Sequence, residues 1–173
     1  MSPIPILKSI SRLNPGTMLD IGARDFAIAR RFAEIGYSVH AIDPDPPADC
    51  VPENGITFTQ TTLEDFETDQ KFDLVVASLV SHLVSYEVPD YLARLKSLTN
   101  PDGLIYVTLL GDEDDWARRK NAKAMRFEAA CSLVEQQGLT PLYRSSEWLQ
   151  GSLYSGEPKF WHLFRFVLRQ TDV

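Results

Sequence analysis

The sequence predicts an α/β fold: a mostly parallel seven-stranded sheet with a C-terminal antiparallel hairpin and helices on both faces. Short apolar segments alternate with amphipathic ones along most of the chain, which is typical of βαβ units. The segment Phe72–Ser78 is apolar almost throughout, as in a parallel strand that is buried on both faces. The last two extended segments are joined without a helix, which favours antiparallel pairing.

Turn residues and hydrophobic periodicity delimit the elements of the first half. A leading helix over Ile4–Leu13 ends at the break Asn14–Gly16, and a first strand over Thr17–Ile21 follows. Apolar residues at helical spacing predict a helix over about Asp25–Ile35, and Gly36 suits its left-handed end. The next predicted segments are a strand over Ser38–Ile42, a proline-rich loop over Pro44–Gly55 and a strand over Ile56–Gln60.

The second half begins with Phe72–Ser78 as the fourth strand. A helix over about Val88–Leu98 carries Pro89 in its first turn and stops before the turn Asn100–Gly103. The remaining predicted elements are a strand over Leu104–Leu109, a helix over about Arg119–Gln137 that stops at Gly138, and strands over Thr140–Leu149 and Phe160–Arg169.

Length and charge limit the possible functions. With 173 residues we expect one domain, 1–173. The chain has 17 Lys and Arg against 24 Asp and Glu, a net charge of −7, which argues against nucleic acid or an anionic membrane as partner. No apolar run approaches the ~18 residues of a membrane span, so we expect a cytoplasmic protein. The two cysteines form no C-x-x-C motif, and no metal site is predicted.

Two carboxylates mark the expected ligand site. In an open α/β sheet, ligands bind beyond the carboxyl ends of the strands, where the strand order reverses. Asp20 lies near the end of the first predicted strand, two residues before Gly22, and it can accept a hydrogen bond from an ammonium group. Asp43 follows the second strand, where a carboxylate can accept both hydroxyls of a ribose. The pattern predicts a site for an adenosyl ligand that also carries a cation.

These residues lie in segments that resemble class I S-adenosylmethionine-dependent methyltransferases, and the C-terminal segment is similar to small bacterial members near the tellurite-resistance methyltransferase branch. The resemblance implies a Rossmann-like methyltransferase fold and S-adenosylmethionine as cofactor. It also implies methyl transfer to a small-molecule nucleophile, and it leaves the oligomeric state open. It rests on the segments 19–22, 36–43, 71–78, 98–107 and 156–164.

The same resemblance implies which residues bind the cofactor. Asp20 and Gly22 would contact its methionine end, and Asp43 its ribose. Backbone near Thr62 and Leu63 would border the adenine, while two residues after the fourth strand would lie beneath the sulfonium methyl group. The full predicted set is Asp20, Gly22, Ala23, Arg24, Asp43, Pro44, Thr62, Leu63, Ser78 and Leu79.

The first loop departs from the family pattern, which usually has glycine at three alternate positions. Here only Gly22 remains, and Arg24 and Phe26 occupy the other two. Side chains there restrict positive φ, so an alternative is an inactive binding or scaffolding domain whose donor pocket they narrow. Arg24 can instead pair with the cofactor carboxylate.

A second departure lies at Thr61–Leu63, where the family commonly has Gly-Asp before an apolar residue. A nicotinamide-linked enzyme is a third reading.

His82 is the candidate catalytic residue. With an unperturbed pKa near 6.5 it can take a proton from an acceptor. The alternative, which the sequence favours slightly, is a histidine at a helix start that is hydrogen-bonded to local backbone. The acidic run Asp112–Asp115 can bind a cation. However, carboxylates are favoured at the start of a helix, and the basic run Arg118–Lys120 follows. We therefore expect the acidic run to be exposed to solvent at the start of the helix.

Overall fold

The computed structural model describes residues 3–10, 14–52, 55–119, 122–153 and 155–171 of the chain. Four helices and seven strands lie in these ranges. The helices are α1 (Ile4–Ser9), α2 (Ala27–Glu34), α3 (Val88–Ser97) and α4 (Phe127–Gln136). The strands are β1 (Thr17–Ile21), β2 (Ser38–Ile42), β3 (Ile56–Thr59), β4 (Phe72–Ala77), β5 (Thr99–Leu110), β6 (Leu139–Ser152) and β7 (Pro158–Gln170).

All seven strands form one sheet in the order β3-β2-β1-β4-β5-β7-β6. β1 to β5 pair in parallel, whereas β7 is antiparallel to both β5 and β6. The predicted fold class is therefore confirmed. The strand order reverses between β1 and β4, so the carboxyl ends of these two strands flank the crevice in which open α/β sheets bind ligands.

Each face of the sheet buries its own apolar cluster. The face that carries α3 and α4 buries Tyr91, Leu95 and Val134. The opposite face carries α1 and α2 and buries Leu7 and Phe32. No helix in the described ranges has the length and apolar character that crossing a bilayer requires.

Three predicted boundaries were wrong or incomplete. α4 begins at Phe127 rather than near Arg119: Met125 forms a parallel bridge with Gly111, and Lys123 has a left-handed φ of +54°, so neither residue is helical. The turn predicted at Asn100–Gly103 belongs to β5, with an irregularity in its pairing to β4. α1 ends at Ser9, and part of the longer helix predicted there, residues 11–13, lies outside the described residues. The described part of the loop after β2 contains no helix, as predicted.

The connection from β1 to α2 has a left-handed backbone at the three positions where the family usually has glycine, although only Gly22 is a glycine here. Gly22, Arg24 and Phe26 all have left-handed φ angles, of +71°, +44° and +60°. A left-handed conformation disfavours residues with a Cβ. At Phe26 the burial of the ring compensates, because the side chain is fully buried and packs edge-on against Phe58 of β3, with ring centroids 5.1 Å apart.

This packing predicts that glycine destabilises the protein less than alanine does at Phe26, the reverse of the order in a helix interior. Phe26→Ala should lower the free energy of unfolding by about 3 kcal/mol through lost burial. Phe26→Gly should cost about 1 kcal/mol less, because glycine adopts the left-handed conformation without strain. Urea unfolding monitored by circular dichroism measures both values.

Phe32 provides the matched control, since it is equally buried but lies inside α2. There the glycine variant should be the less stable of the two, as in any helix interior. The same order at both positions would contradict a strained backbone at Phe26.

Candidate active site

Asp43 joins the loops that follow β1 and β2. Its Oδ2 accepts the backbone N–H of Arg24 and its Oδ1 that of Asp45, each at 2.8 Å. The backbone N–H groups of Gly22 and Ala23 donate to the carbonyl of Ile42, at 2.9 and 3.1 Å. These bonds connect four residues that the sequence predicted for cofactor binding, Gly22, Ala23, Arg24 and Asp43, while the predicted residues Asp20 and Pro44 lie within two residues of them in the chain.

Asp20 is a buried carboxyl group that lacks a full set of partners. It is 1% exposed, and its Oδ2 has no hydrogen-bond partner among the described residues. Burial raises its pKa to about 8, with a smaller contribution from the charges of Asp43 and Asp25, and the backbone amide of Ala29 opposes the shift. A buried acceptor of this kind fits a cation. The site therefore fits the ammonium group of S-adenosylmethionine.

The surface above the loop is open at Gly22, which is exposed. A Cβ on Gly22 would lie 2.7 Å from Cγ2 of Val80, so glycine lets the segment after β4 approach this loop closely. Phe26 points into the core and does not narrow the donor pocket, and Arg24 is only half-buried. The alternative of a pocket narrowed by these two side chains is not favoured.

The residues predicted to border the adenine lie after β3. The hydroxyl of Thr62 donates to Oδ2 of Asp65 at 2.9 Å and accepts the backbone N–H of Asp65 at 3.1 Å, so it caps the turn that follows. The Leu63 side chain is buried, at 3% exposure. The Thr62 hydroxyl is therefore engaged within this turn. Pro44 is exposed, and its carbonyl accepts a bond from Gln60.

A cavity of about 190 Å³ lies beside the end of β4. Two of its lining residues, Ser78 and Leu79, are those predicted beneath the sulfonium methyl group, and the backbone N–H of Leu79 donates to Oγ1 of Thr108 at 2.7 Å. Tyr106 and Arg165 also line it. A larger open groove of about 670 Å³ around Arg94 involves none of the predicted site residues.

His82 lies among aromatic rings behind this cavity. Its ring is 5.2 Å from that of Trp116 and 6.4 Å from that of Trp161, which lines the cavity. His82 is not among the lining residues, and its Nδ1 is buried with no hydrogen-bond partner in the described ranges. Burial, helped by the charge of Lys159, lowers the pKa of His82 to about 4.

The acidic run after β5 is not the solvated helix entrance predicted from its charge. Asp114 is 4% exposed and ion-pairs with Lys159, whose Nζ lies 3.7 Å above the ring of Trp161. Its Oδ2 also accepts the backbone N–H of His162 at 3.1 Å. These contacts hold Asp114 against β7.

Two exposed carboxylates just before Asp114 in the chain lie close to the buried His162, in an arrangement that resembles a set of metal ligands. Ligand atoms of Asp112, Glu113 and His162 lie within 4.8 Å of one another. The ring of His162 is already bonded at both nitrogens, since Nδ1 accepts the backbone N–H of Glu113 at 3.1 Å and Nε2 lies 3.0 Å from the Ser146 hydroxyl. This cluster thus serves the packing of β7.

Sequence reasoning missed three buried polar residues: Tyr106, Lys159 and Arg165. One signal pointed to Arg165, because it interrupts the apolar segment 163–168 in the middle of a strand. A charge at such a position requires a partner or a ligand. The ion-pair partner of Lys159 and the residues that share a cavity with Tyr106 come from distant segments of the chain, and no local pattern marks them.

Comparisons with known proteins agree with this geometry. Residues 5–149 match a family described as a methyltransferase domain. Ubiquinone biosynthesis O-methyltransferases of Rhodopseudomonas palustris (strain BisB5) and Bradyrhizobium sp. (strain ORS 278) are each 31% identical, over 110 and 111 residues. Each alignment covers 60% of this chain and 43% of the relative, so the chain matches less than half the length of these relatives.

Solved structures share the fold at low sequence identity. A putative methyltransferase from Bacillus halodurans has a TM-score of 0.75 at 12% identity, covering 98% of this chain and 99% of that one. TehB from Haemophilus influenzae has a TM-score of 0.74 at 13% identity, covering 96% and 62%. The 1,6-didemethyltoxoflavin-N1-methyltransferase of Burkholderia thailandensis, solved with S-adenosylhomocysteine, has a TM-score of 0.69 at 18% identity, covering 98% and 76%.

At these identities the structural neighbours show the fold alone, and the family match carries the assignment. The chain therefore belongs to the methyltransferase domain family, which confirms its resemblance to class I S-adenosylmethionine-dependent methyltransferases.

Proposed function

We propose that the protein transfers a methyl group from S-adenosylmethionine to a small-molecule nucleophile bound in the cavity beside β4. The prediction of S-adenosylmethionine as cofactor is confirmed by membership in the methyltransferase domain family. One observation carries the proposal for this chain. Oδ2 of Asp20 is a buried acceptor that has no partner among the described residues, at the strand-order reversal and two residues before the exposed Gly22.

Residues of the first two loops would hold the donor. Asp20 would bind its ammonium group, and Asp43 would bind the ribose through lone pairs that its two backbone bonds leave free. Gly22, Ala23, Arg24 and Pro44 would supply loop contacts. Backbone at Thr62 and Leu63 would border the adenine. When bound, S-adenosylmethionine supplies an electrophilic methyl group.

The acceptor would lie in the cavity that Ser78 and Leu79 line, because the same two residues are predicted to lie beneath the methyl group of the donor. Ser78 and Leu79 line this cavity, and the next residue, Val80, contacts the donor loop at Gly22. In methyl transfer a protein mainly aligns the reacting groups and excludes water. The two curated relatives, both named ubiquinone biosynthesis O-methyltransferase, support a small acceptor.

The donor site is tested by titration calorimetry with S-adenosylmethionine and S-adenosylhomocysteine. We expect binding to the wild type, and about a 100-fold loss in Asp43→Ala, because two charge-assisted hydrogen bonds to the ribose are removed. Asp45→Ala is the matched control, since only its backbone N–H contacts Asp43. The absence of both heat and a thermal shift in the wild type would favour the scaffolding alternative.

Binding of the donor should release a proton from Asp20. With a pKa near 8 in the free protein, its carboxyl is mostly protonated between pH 5.5 and 7.5. An ammonium ligand favours the ionised form, so affinity for S-adenosylhomocysteine should rise with pH, by up to about tenfold per unit. Calorimetry across this range measures the slope.

Asp20→Asn should bind more weakly at pH 7.5 and show no such slope. Asp73→Asn is the control, because Asp73 lies at the opposite end of the sheet, where it accepts bonds from Thr17. A flat pH profile in the wild type would remove Asp20 from the donor site.

The predicted catalytic role of His82 stays a prediction, and its low pKa disfavours it as a base near pH 7. The unfolded chain titrates near 6.5, so protonation favours unfolding as pH falls from 6.5 to 4. Over that window the wild type should lose about 1–3 kcal/mol more stability than His82→Gln. Urea unfolding at both pH values measures the difference, and equal losses in the two proteins would contradict a buried, neutral imidazole.

A further inference from the structure

Two buried polar atoms without partners belong to side chains that line the cavity beside β4. Tyr106 is fully buried and Arg165 is 8% exposed. The hydroxyl of Tyr106 and the Nε of Arg165 have no hydrogen-bond partner among the described residues. Because an unsatisfied buried polar atom costs free energy, each is expected to have a partner when the site is filled.

The register of the sheet places these groups on the donor side of the molecule. Asp20 pairs with Val76, and Val76 pairs with Tyr106, so the three side chains lie in one row on one face. Two strand spacings, about 10 Å, separate Asp20 from Tyr106. Arg165 pairs with Thr108, two residues further along β5. The two polar groups are thus neighbours, and they face the same crevice as Asp20.

The cavity wall is rich in hydrogen-bond donors and carries no carboxylate among its described lining residues. The guanidinium of Arg165 forms an ion pair with Glu147, with Nη2 and Oε2 3.0 Å apart, and Glu147 does not line the cavity. A guanidinium has five N–H donors, so this bond leaves others for a ligand. Burial raises the pKa of Tyr106 to about 12, so its hydroxyl remains a donor at neutral pH.

We propose that the methyl acceptor is a small molecule with an apolar body and a carboxylate, and that Arg165 and Tyr106 bind this carboxylate. The planar guanidinium matches the two oxygens of a carboxylate. Leu79, Trp161 and Leu163 supply apolar walls for the body. A cavity of about 150 Å³ accepts benzene, so one of about 190 Å³ suits a single ring. This inference rests on the proposed function, which makes the cavity the acceptor site.

Benzoate and its neutral analogue benzamide are the test ligands. Their affinities for the full chain are measured by titration calorimetry, both alone and with saturating S-adenosylhomocysteine. We expect benzoate to bind at least about tenfold more tightly than benzamide, which is what a charge-assisted hydrogen bond provides. Equal affinities, or binding of neither ligand, would overturn the proposal.

Substitutions at Arg165 and Tyr106 test whether these two side chains cause the preference for benzoate over benzamide. Arg165→Gln should abolish the preference for benzoate, and Tyr106→Phe should reduce it severalfold. Arg169→Gln is the matched control, because Arg169 lies on the same strand and outside the cavity, and it should keep the full preference. Since Arg165→Gln leaves Glu147 without its ion pair, Glu147→Gln/Arg165→Gln is tested beside it, and circular dichroism checks that both fold.

The two proposals fail separately. If S-adenosylhomocysteine binds but the benzoate preference is absent or survives in both Arg165 variants, the carboxylate site is wrong and the donor site stands. If S-adenosylhomocysteine does not bind, the proposed function fails, and the measurements without it still decide whether Arg165 and Tyr106 select a carboxylate.

Discussion

The carboxylate of Asp43 is the interaction on which the donor side of the molecule depends. It accepts one backbone N–H from the loop after β1 and one from the loop after β2. A buried carboxylate with two such bonds holds both loops in one arrangement at the strand-order reversal. The exposed backbone of Gly22 and the buried carboxyl of Asp20 keep their positions because this link keeps the loop after β1 in place.

The loop after β1 has the left-handed backbone that glycine usually provides, although two of the three positions carry larger residues. Glycine adopts a left-handed backbone without strain, whereas Arg24 and Phe26 adopt it at a cost. Burial of the Phe26 ring against Phe58 offsets that cost and fastens the start of α2 to the core. The Phe26 ring therefore lies in the core and Gly22 stays exposed, although the sequence alone suggested that the loop was obstructed.

The opposite wall of the crevice is built from residues that pair across the antiparallel end of the sheet. Lys159 and Asp114 fasten the segment after β5 to β7, and aromatic rings enclose the lysine. Arg165 reaches the cavity from the same strand, anchored by Glu147. Buried charges in this region are each bound by a partner from another strand or loop, which is the condition for keeping charge inside a protein.

The sequence by itself determined the α/β architecture, the seven strands and the two acidic strand ends, because hydrophobic periodicity and turn residues act over a few neighbouring positions. It did not determine the start of α4, the burial of Asp114 or the side on which Phe26 lies. Those features depend on contacts such as the Met125 bridge to Gly111 and the ion pair of Lys159, which join distant segments. Only the tertiary structure decided that Tyr106 and Arg165 share a cavity, because strand register sets which side chains become neighbours.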